Sequence, residues 1–299
     1  MTMKRREFLT KSLAGLGGLV AGERLLFGGY IRSTYDPYAR VPLGNTGLMA
    51  SRIALGTGMH GYQRSSNQTR MGVEKFKQLI RDSYDRGVRL FDMADLYGSH
   101  PYLIPALEGV PRENFLITSK IWFRDGGLPE KERLDADVVV ARFLEELNTD
   151  YIDTVHMHCV VSPTWPMELR RQMDILESLK KQGVIRAHGV SCHTLPALKA
   201  AAEEPWVDVV NTRINAYGVK MDDTPDKVAP VLQKLQQAGK GIVGMKLVGE
   251  GQFREEPDRR ARSIDFVLNN GLADSMAVGF EQISEVDDFA QAVDKTVKT

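Results

Sequence analysis

From residue 52 onward, short apolar runs alternate with longer amphipathic stretches, and the alternation repeats eight times. The short runs read as strands at 52–56, 89–93, 115–120, 154–158, 186–191, 207–214, 241–247 and 275–279. Between the first two, Val73, Phe76, Leu79, Ile80 and Tyr84 recur at helical spacing. Further helices are predicted over 135–147, 167–182, 195–204, 224–238 and 258–270, and a last one over 284–297. Gly87, Gly183 and Gly239 each fall between a helix and a strand, where a C-terminal stop belongs. Upstream, Leu43-Gly44-Asn45-Thr46-Gly47 is a turn signal inside 38–51, which predicts a small hairpin.

Eight strand–helix units in one run predict an α/β fold, a (β/α)8 TIM barrel preceded by a short N-terminal β-hairpin. From Gly58 to Gly279 the strand ends recur about every 32 residues, a spacing that suits a βα unit. An open doubly wound sheet is the competitor, and it normally carries G-x-G-x-x-G after its first strand. Here that strand ends in Leu55-Gly56-Thr57-Gly58-Met59, without the third glycine and with no helix beginning there.

Composition adds exclusions. Of the 299 residues, 42% are hydrophobic and 26% charged, enough to build a large core and too ordinary for a disordered or fibrous chain. The 39 Lys and Arg balance the 39 Asp and Glu, so nothing favours nucleic acid or an anionic membrane as the main partner. Residues 1–30 stand apart. Lys4-Arg5-Arg6-Glu7-Phe8-Leu9, then Lys11, precede an apolar run over 12–22 that ends at Glu23-Arg24. A basic start and a short apolar run are the layout of an export signal, here of the twin-arginine type. The run is shorter than the ~20 residues of a spanning helix, so no stable membrane span is expected. The expected partners are the twin-arginine export machinery and a small-molecule substrate, and the expected location is the periplasm or another exported one; the alternative is an amphipathic N-terminal arm with a chance arginine pair on a cytoplasmic protein.

In such a barrel, chemistry sits where the strands end, on the C-terminal face. Strand two runs into Asp92-Met93-Ala94-Asp95-Leu96-Tyr97-Gly98, strand three ends in Thr118-Ser119-Lys120, and strand four ends in His156-Met157-His158. An Asp, a Tyr, a Lys and a His from three neighbouring strands therefore converge on one rim. A free tyrosine hydroxyl, with a pKa of about 10, is a poor acid at neutral pH. A nearby ammonium lowers that pKa, and a carboxylate keeps the ammonium charged. A histidine within reach orients a carbonyl. The set suits proton delivery to a carbonyl oxygen while hydride arrives at carbon.

The residues from 36 to 299 resemble the aldo-keto reductase family. The turn 43–47, the FDMADLYG run, the TSK run, the DTVHMH run and the GVIRAHGVS run match family motifs in order. The resemblance implies an NAD(P)-dependent oxidoreductase that reduces an aldehyde, ketone or sugar carbonyl to an alcohol, or the reverse. Tyr97 is then the proton donor, Lys120 paired with Asp92 tunes it, and His158 orients the carbonyl. On the cofactor side, Ser191 matches the serine that holds the nicotinamide amide, with Cys192 where an Asn usually follows. Asn211 stands for the family's Gln, Met245 and Lys246 for a stacking aromatic residue, and Glu285 matches an adenine-side position. NADP(H) is the implied cofactor, with NAD(H) left open because the eighth strand end lacks the Lys and Arg that usually grip the 2′-phosphate.

Two rivals remain at this stage. His156-x-His158, with His188, Cys192, His193 and Cys159 nearby, fits a metal-dependent hydrolase, which elemental analysis for zinc distinguishes; the favoured reading has no metal. A non-catalytic dinucleotide-binding module keeps the barrel without turnover. Cys159 and Cys192 end neighbouring strands, either as a disulfide or as two reduced thiols. Export also raises the question of cofactor supply, which a dinucleotide carried out bound and regenerated in place answers. The substrate-selecting loops are expected at 65–71, 123–133 and 160–166, with Trp122 and Trp165 as an apolar wall or as interior packing.

Overall fold

The computed structural model describes residues 33–299. A hairpin of β1 (Arg40–Pro42) and β2 (Met49–Ser51) pairs antiparallel, Val41 opposite Ala50. Eight parallel strands follow: β3 (Ile53–Gly56), β4 (Leu90–Asp92), β5 (Leu116–Ile121), β6 (Ile152–Val160), β7 (Ile185–Cys192), β8 (Val209–Arg213), β9 (Gly241–Met245) and β10 (Ser275–Val278). They close into a barrel as β10 pairs with both β3 and β9. All eight sequence-predicted strands are present, with ends moved by up to two residues.

Strand alternation sorts the side chains into two layers. Ala54, Leu90, Leu116, Ala187, Val209, Val243 and Ala277 fill the lower barrel, and Leu43, Leu48 and Ala50 of the hairpin seal it from below. The opposite set, including Phe91, Ile117, Val155, Val190 and Met276, packs against the helices. One step further along the strands the interior turns polar: Asp92, Lys120, His156, His158, Ser191 and Asn211 are all buried. An apolar floor and a polar upper interior leave one face for chemistry, the C-terminal one.

The helices are α1 (Asn67–Arg70), α2 (Val73–Arg86), α3 (His100–Ala106), α4 (Ala136–Leu147), α5 (Trp165–Glu168), α6 (Arg170–Lys181), α7 (Leu195–Glu203), α8 (Pro225–Gln237), α9 (Pro257–Asn269) and α10 (Ile283–Lys295). The helix predicted over 167–182 is two pieces, because Leu169 at φ −108°, ψ 16° leaves the helical region. Neither α1 nor α3 is foreseen in the sequence pattern. Among the described residues no helix is long and apolar enough to cross a membrane. The expected export signal, 1–30, lies outside the described residues.

Candidate active site

Asp92 is the last residue of β4, and the chain turns at once into a single 3-10 turn, Asp95–Tyr97. That turn is held from both sides. Asp95 is buried and accepts from Arg64 Nε at 3.0 Å and from Arg142 Nη2 at 2.7 Å. The Tyr97 ring is gripped by the loop that follows β3. A Cβ on Gly58 would lie 2.2 Å from Tyr97 Cζ, and one on Gly61 would lie 2.4 Å from Cδ1. Only glycine permits that approach.

Lys120, 1% exposed, donates from Nζ to Asp92 Oδ1 at 2.6 Å and to the Met93 carbonyl at 2.9 Å. Asn211 Nδ2 donates to the same Asp92 oxygen at 2.9 Å. Nζ also lies 5.3 Å from the centre of the Tyr97 ring. His158, from β6, places Nε2 3.4 Å from Tyr97 Oη with the rings edge-on. Trp122 packs edge-on to the other side of His158, at 5.4 Å between ring centres. Buried Asp92, Lys120 and His158 and the half-buried Tyr97, from three adjacent strands, thus share one cluster, with Asn211 joining from β8.

The electrostatics differ from the sequence expectation in one respect. Burial, with the Asp92 carboxylate adding to it, pushes the Tyr97 hydroxyl well above 10. Lys120 is lowered by its own burial, which outweighs Asp92. Its ammonium is paired with that carboxylate beside the phenol ring. Tyr97 is a firmly protonated donor at neutral pH. His158 is neutral, driven well below 6.5 by burial and then by Lys120.

Two adjoining cavities run away from this cluster. The first, about 110 Å³, is lined by Gly56, Asp92, Tyr97, Met245 and Lys246. The second, about 380 Å³, is lined by Arg254, Arg260, Glu281 and Glu285. Met59, Val248, Val278 and Gly279 border both, so they form one groove. Ser191 Oγ is paired with His193 Nε2 at 3.2 Å, deep in the barrel. Lys246 Nζ is engaged by Glu250 at 2.8 Å and belongs to the Tyr97 end of the groove. Cys192 is fully buried among the apolar residues between barrel and helices, the side of β7 opposite to Ser191. The structure does not bring it to the groove.

Cys159 and Cys192 are both free thiols. An irregularity in β6 sets Val160, not Cys159, opposite Cys192, and Cys159 sits at φ 58° with Arg124 Nη1 3.0 Å from its sulfur. His188 faces the helices, stacked on Trp206 at 4.0 Å. Among the described residues no group of three His, Cys, Asp or Glu side chains is arranged to hold a metal ion. Trp165 is interior packing, 1% exposed, whereas Trp122 is at the site.

Sequence reasoning missed Gly58, Gly61, Arg64, Arg142 and Arg254. The glycines carry a signal only once the Tyr97 ring is known to lie on them. Arg254 is contributed by the loop before α9, far in sequence from the strand end it faces.

The polar upper barrel, the tyrosine–lysine–aspartate–histidine cluster and the groove beside it lie together on the C-terminal face of a (β/α)8 barrel. The chain belongs to the aldo/keto reductase family, whose model matches residues 52–298. It is 25% identical over 287 residues to the aldo-keto reductase AMT2 of Alternaria alternata, covering 85% of this chain and 76% of that one. It is 29% identical over 200 residues to an NADH-specific methylglyoxal reductase of Escherichia coli, covering 62% of this chain and 61% of the relative. The crystal structure of an aldo/keto reductase from Klebsiella pneumoniae, in complex with NADP and acetate, shares the fold at a TM-score of 0.62 and 18% identity, covering 87% and 92% of the two chains.

Proposed function

We propose that the protein reduces the carbonyl of an aldehyde, ketone or sugar with a nicotinamide dinucleotide, Tyr97 supplying the proton. The observation that carries this is the 3.4 Å approach of Tyr97 Oη to His158 Nε2 where the groove begins. The two cavities adjoin, one lined by Tyr97 and the other by Glu285, and beneath the first the buried Asn211 Oδ1 has no partner of its own, which suits a dinucleotide. Asn211 and Ser191 would hold the carboxamide end, Met245 and Lys246 the middle, and Glu285 the nucleotide end. A dinucleotide bound there supplies hydride.

The protein's own groups do the rest. Tyr97 and the neutral His158 offer two hydrogen-bonding groups to one carbonyl oxygen, so the substrate is held with its oxygen at the phenol. Tyr97 gives up its proton as negative charge develops on that oxygen. Lys120, 5.3 Å from the ring centre, then stabilises the phenolate. Asp92 keeps Lys120 in place and charged. The Gly58–Gly61 loop fixes the phenol against drift.

Purified protein mixed with NADH or NADPH and a panel of aldehydes, ketones and sugars, methylglyoxal included, tests this. Consumption of dinucleotide matched by alcohol is expected; a protein that binds dinucleotide but turns over nothing is a binding module instead. For residues 1–30 we propose twin-arginine export to the periplasm, with the dinucleotide carried out bound. Fractionation of cells expressing the full chain, beside the Arg5→Lys/Arg6→Lys variant, decides it: the paired arginines are expected to be required. Export is refuted if both forms stay cytoplasmic.

A further inference from the structure

The far end of the groove is unusual in its charge. Two arginines, Arg254 and Arg260, meet four carboxylates, Glu255, Glu281, Glu285 and Asp288. Arg254 is the arginine that lies against Glu281 and Glu285, and both carboxylates already hold it. Its Nη1 lies 2.8 Å from Glu281 Oε2 and its Nη2 lies 2.5 Å from Glu285 Oε1. The other Glu281 oxygen accepts from Asn67 Nδ2 at 2.6 Å, and the Glu285 carboxylate accepts from the Glu281 backbone N–H at 2.8 Å. Arg260 is turned to the backbone carbonyls of Phe253 and Arg254.

We infer that this site selects NAD(H) against NADP(H), with Glu281 as the discriminating residue. The inference rests on the dinucleotide binding proposed above. A 2′-phosphomonoester brings close to two negative charges at neutral pH, and here it would enter a cavity with an excess of carboxylates. To gain Arg254 it would have to displace two half-buried carboxylates, each of which loses its cation while the charge of the phosphate is added beside it. A ribose 2′-hydroxyl brings no charge and offers one donor, which a carboxylate accepts well. The same contrast separates the two cofactors where an acidic side chain meets the ribose in dinucleotide folds of other design. Selectivity here comes from repulsion of the wrong ligand as much as from attraction of the right one.

The test is equilibrium binding, read by quenching of protein fluorescence or by calorimetry, of NADH, NADPH, AMP and adenosine 2′,5′-bisphosphate to the full-length protein. NADH is expected to bind at least about tenfold more tightly than NADPH, with the same order for the two adenosine nucleotides. Glu281→Gln keeps an acceptor for the hydroxyl and removes one charge. It is expected to improve NADPH binding about tenfold while changing NADH binding less than about threefold. Equal or tighter NADPH binding by the unaltered protein overturns the inference and leaves the reductase assignment standing. An unchanged NADH-to-NADPH ratio in Glu281→Gln overturns the role of Glu281. Binding of neither dinucleotide overturns both this inference and the proposed function.

Discussion

Gly58 lies against the Tyr97 ring so closely that a Cβ at residue 58 would come within 2.2 Å of the ring carbon that bears the hydroxyl. The phenol therefore has no room to shift toward the β3 loop, and the loop has no room for any other residue. Gly58→Ala should displace the hydroxyl by a fraction of an ångström or more. A loss of about 100-fold in kcat is expected, with little change in the far-ultraviolet circular dichroism. Near-normal kcat in a folded Gly58→Ala would show that the contact does not position the acid.

Removal of the hydroxyl itself is the cleaner probe of chemistry. Tyr97→Phe deletes one oxygen and keeps the ring between Gly58, Gly61 and His158. Reduction should fall by about 10²–10⁴-fold with dinucleotide affinity unchanged. Rates and binding are measured on the same preparation.

Lys120 and Asp92 form a buried pair, and each depends on the other. Lys120→Met leaves the Asp92 carboxylate with only Asn211 as a donor, so the unfolding free energy should drop by about 3–5 kcal/mol. Adding Asp92→Asn removes the stranded charge and should restore most of that loss in urea titrations. Activity should stay low in the double variant, because the charge beside the phenol is still missing. Recovery of both together would assign Lys120 to packing alone.

Acid should weaken the fold, with two aspartates, Asp222 and Asp274, pulling the other way. Burial, aided chiefly by Arg213, pushes His193 down to about 3, and burial with Lys120 drives His156 and His158 well below 6.5. These imidazoles stay neutral in the fold while the unfolded chain protonates below pH 6.5. Their contribution is whole above that pH and is lost as pH falls, by about 1.4 kcal/mol per pH unit for each. Burial lifts Asp274 from 3.8 to about 6, against the hydrogen bonds from the Ile242 and Gly44 backbone. The folded protein holds that proton through pH 4–6, so stability falls there as pH rises. Burial raises Asp222 as well, and it lowers His188 with the other three; the four histidines outnumber the two aspartates, and net stability should decline from pH 6 to 4. Asp274→Asn keeps the acceptor for the Ile242 N–H and removes the penalty. Relative to the unaltered protein it should gain up to about 3 kcal/mol between pH 4 and pH 6, on top of a pH-independent cost for the lost Gly44 bond. Denaturant unfolding across this range checks both signs.

Order along the chain was enough to read eight strands, most of the helices, the hairpin, and the positions of Asp92, Tyr97, Lys120 and His158. Each of these depends on local periodicity or on a strand end, and in a parallel barrel every strand end reaches the same face. The pattern was silent on α3, where Pro101 and Pro105 mask a helix that only its seat beside α2 and α4 stabilises. That Cys192 turns away from Ser191 follows from alternation along β7, which sends neighbours to opposite faces, once the strand is seen to run on to residue 192. Tertiary structure alone set Gly58 and Gly61 against the phenol and joined Arg254 to Glu281 and Glu285 across 27 and 31 residues of sequence. It also reversed the expected direction for Tyr97: proximity of a lysine is legible in a motif, but the depth of burial that outweighs it exists only when the barrel has closed around the hydroxyl.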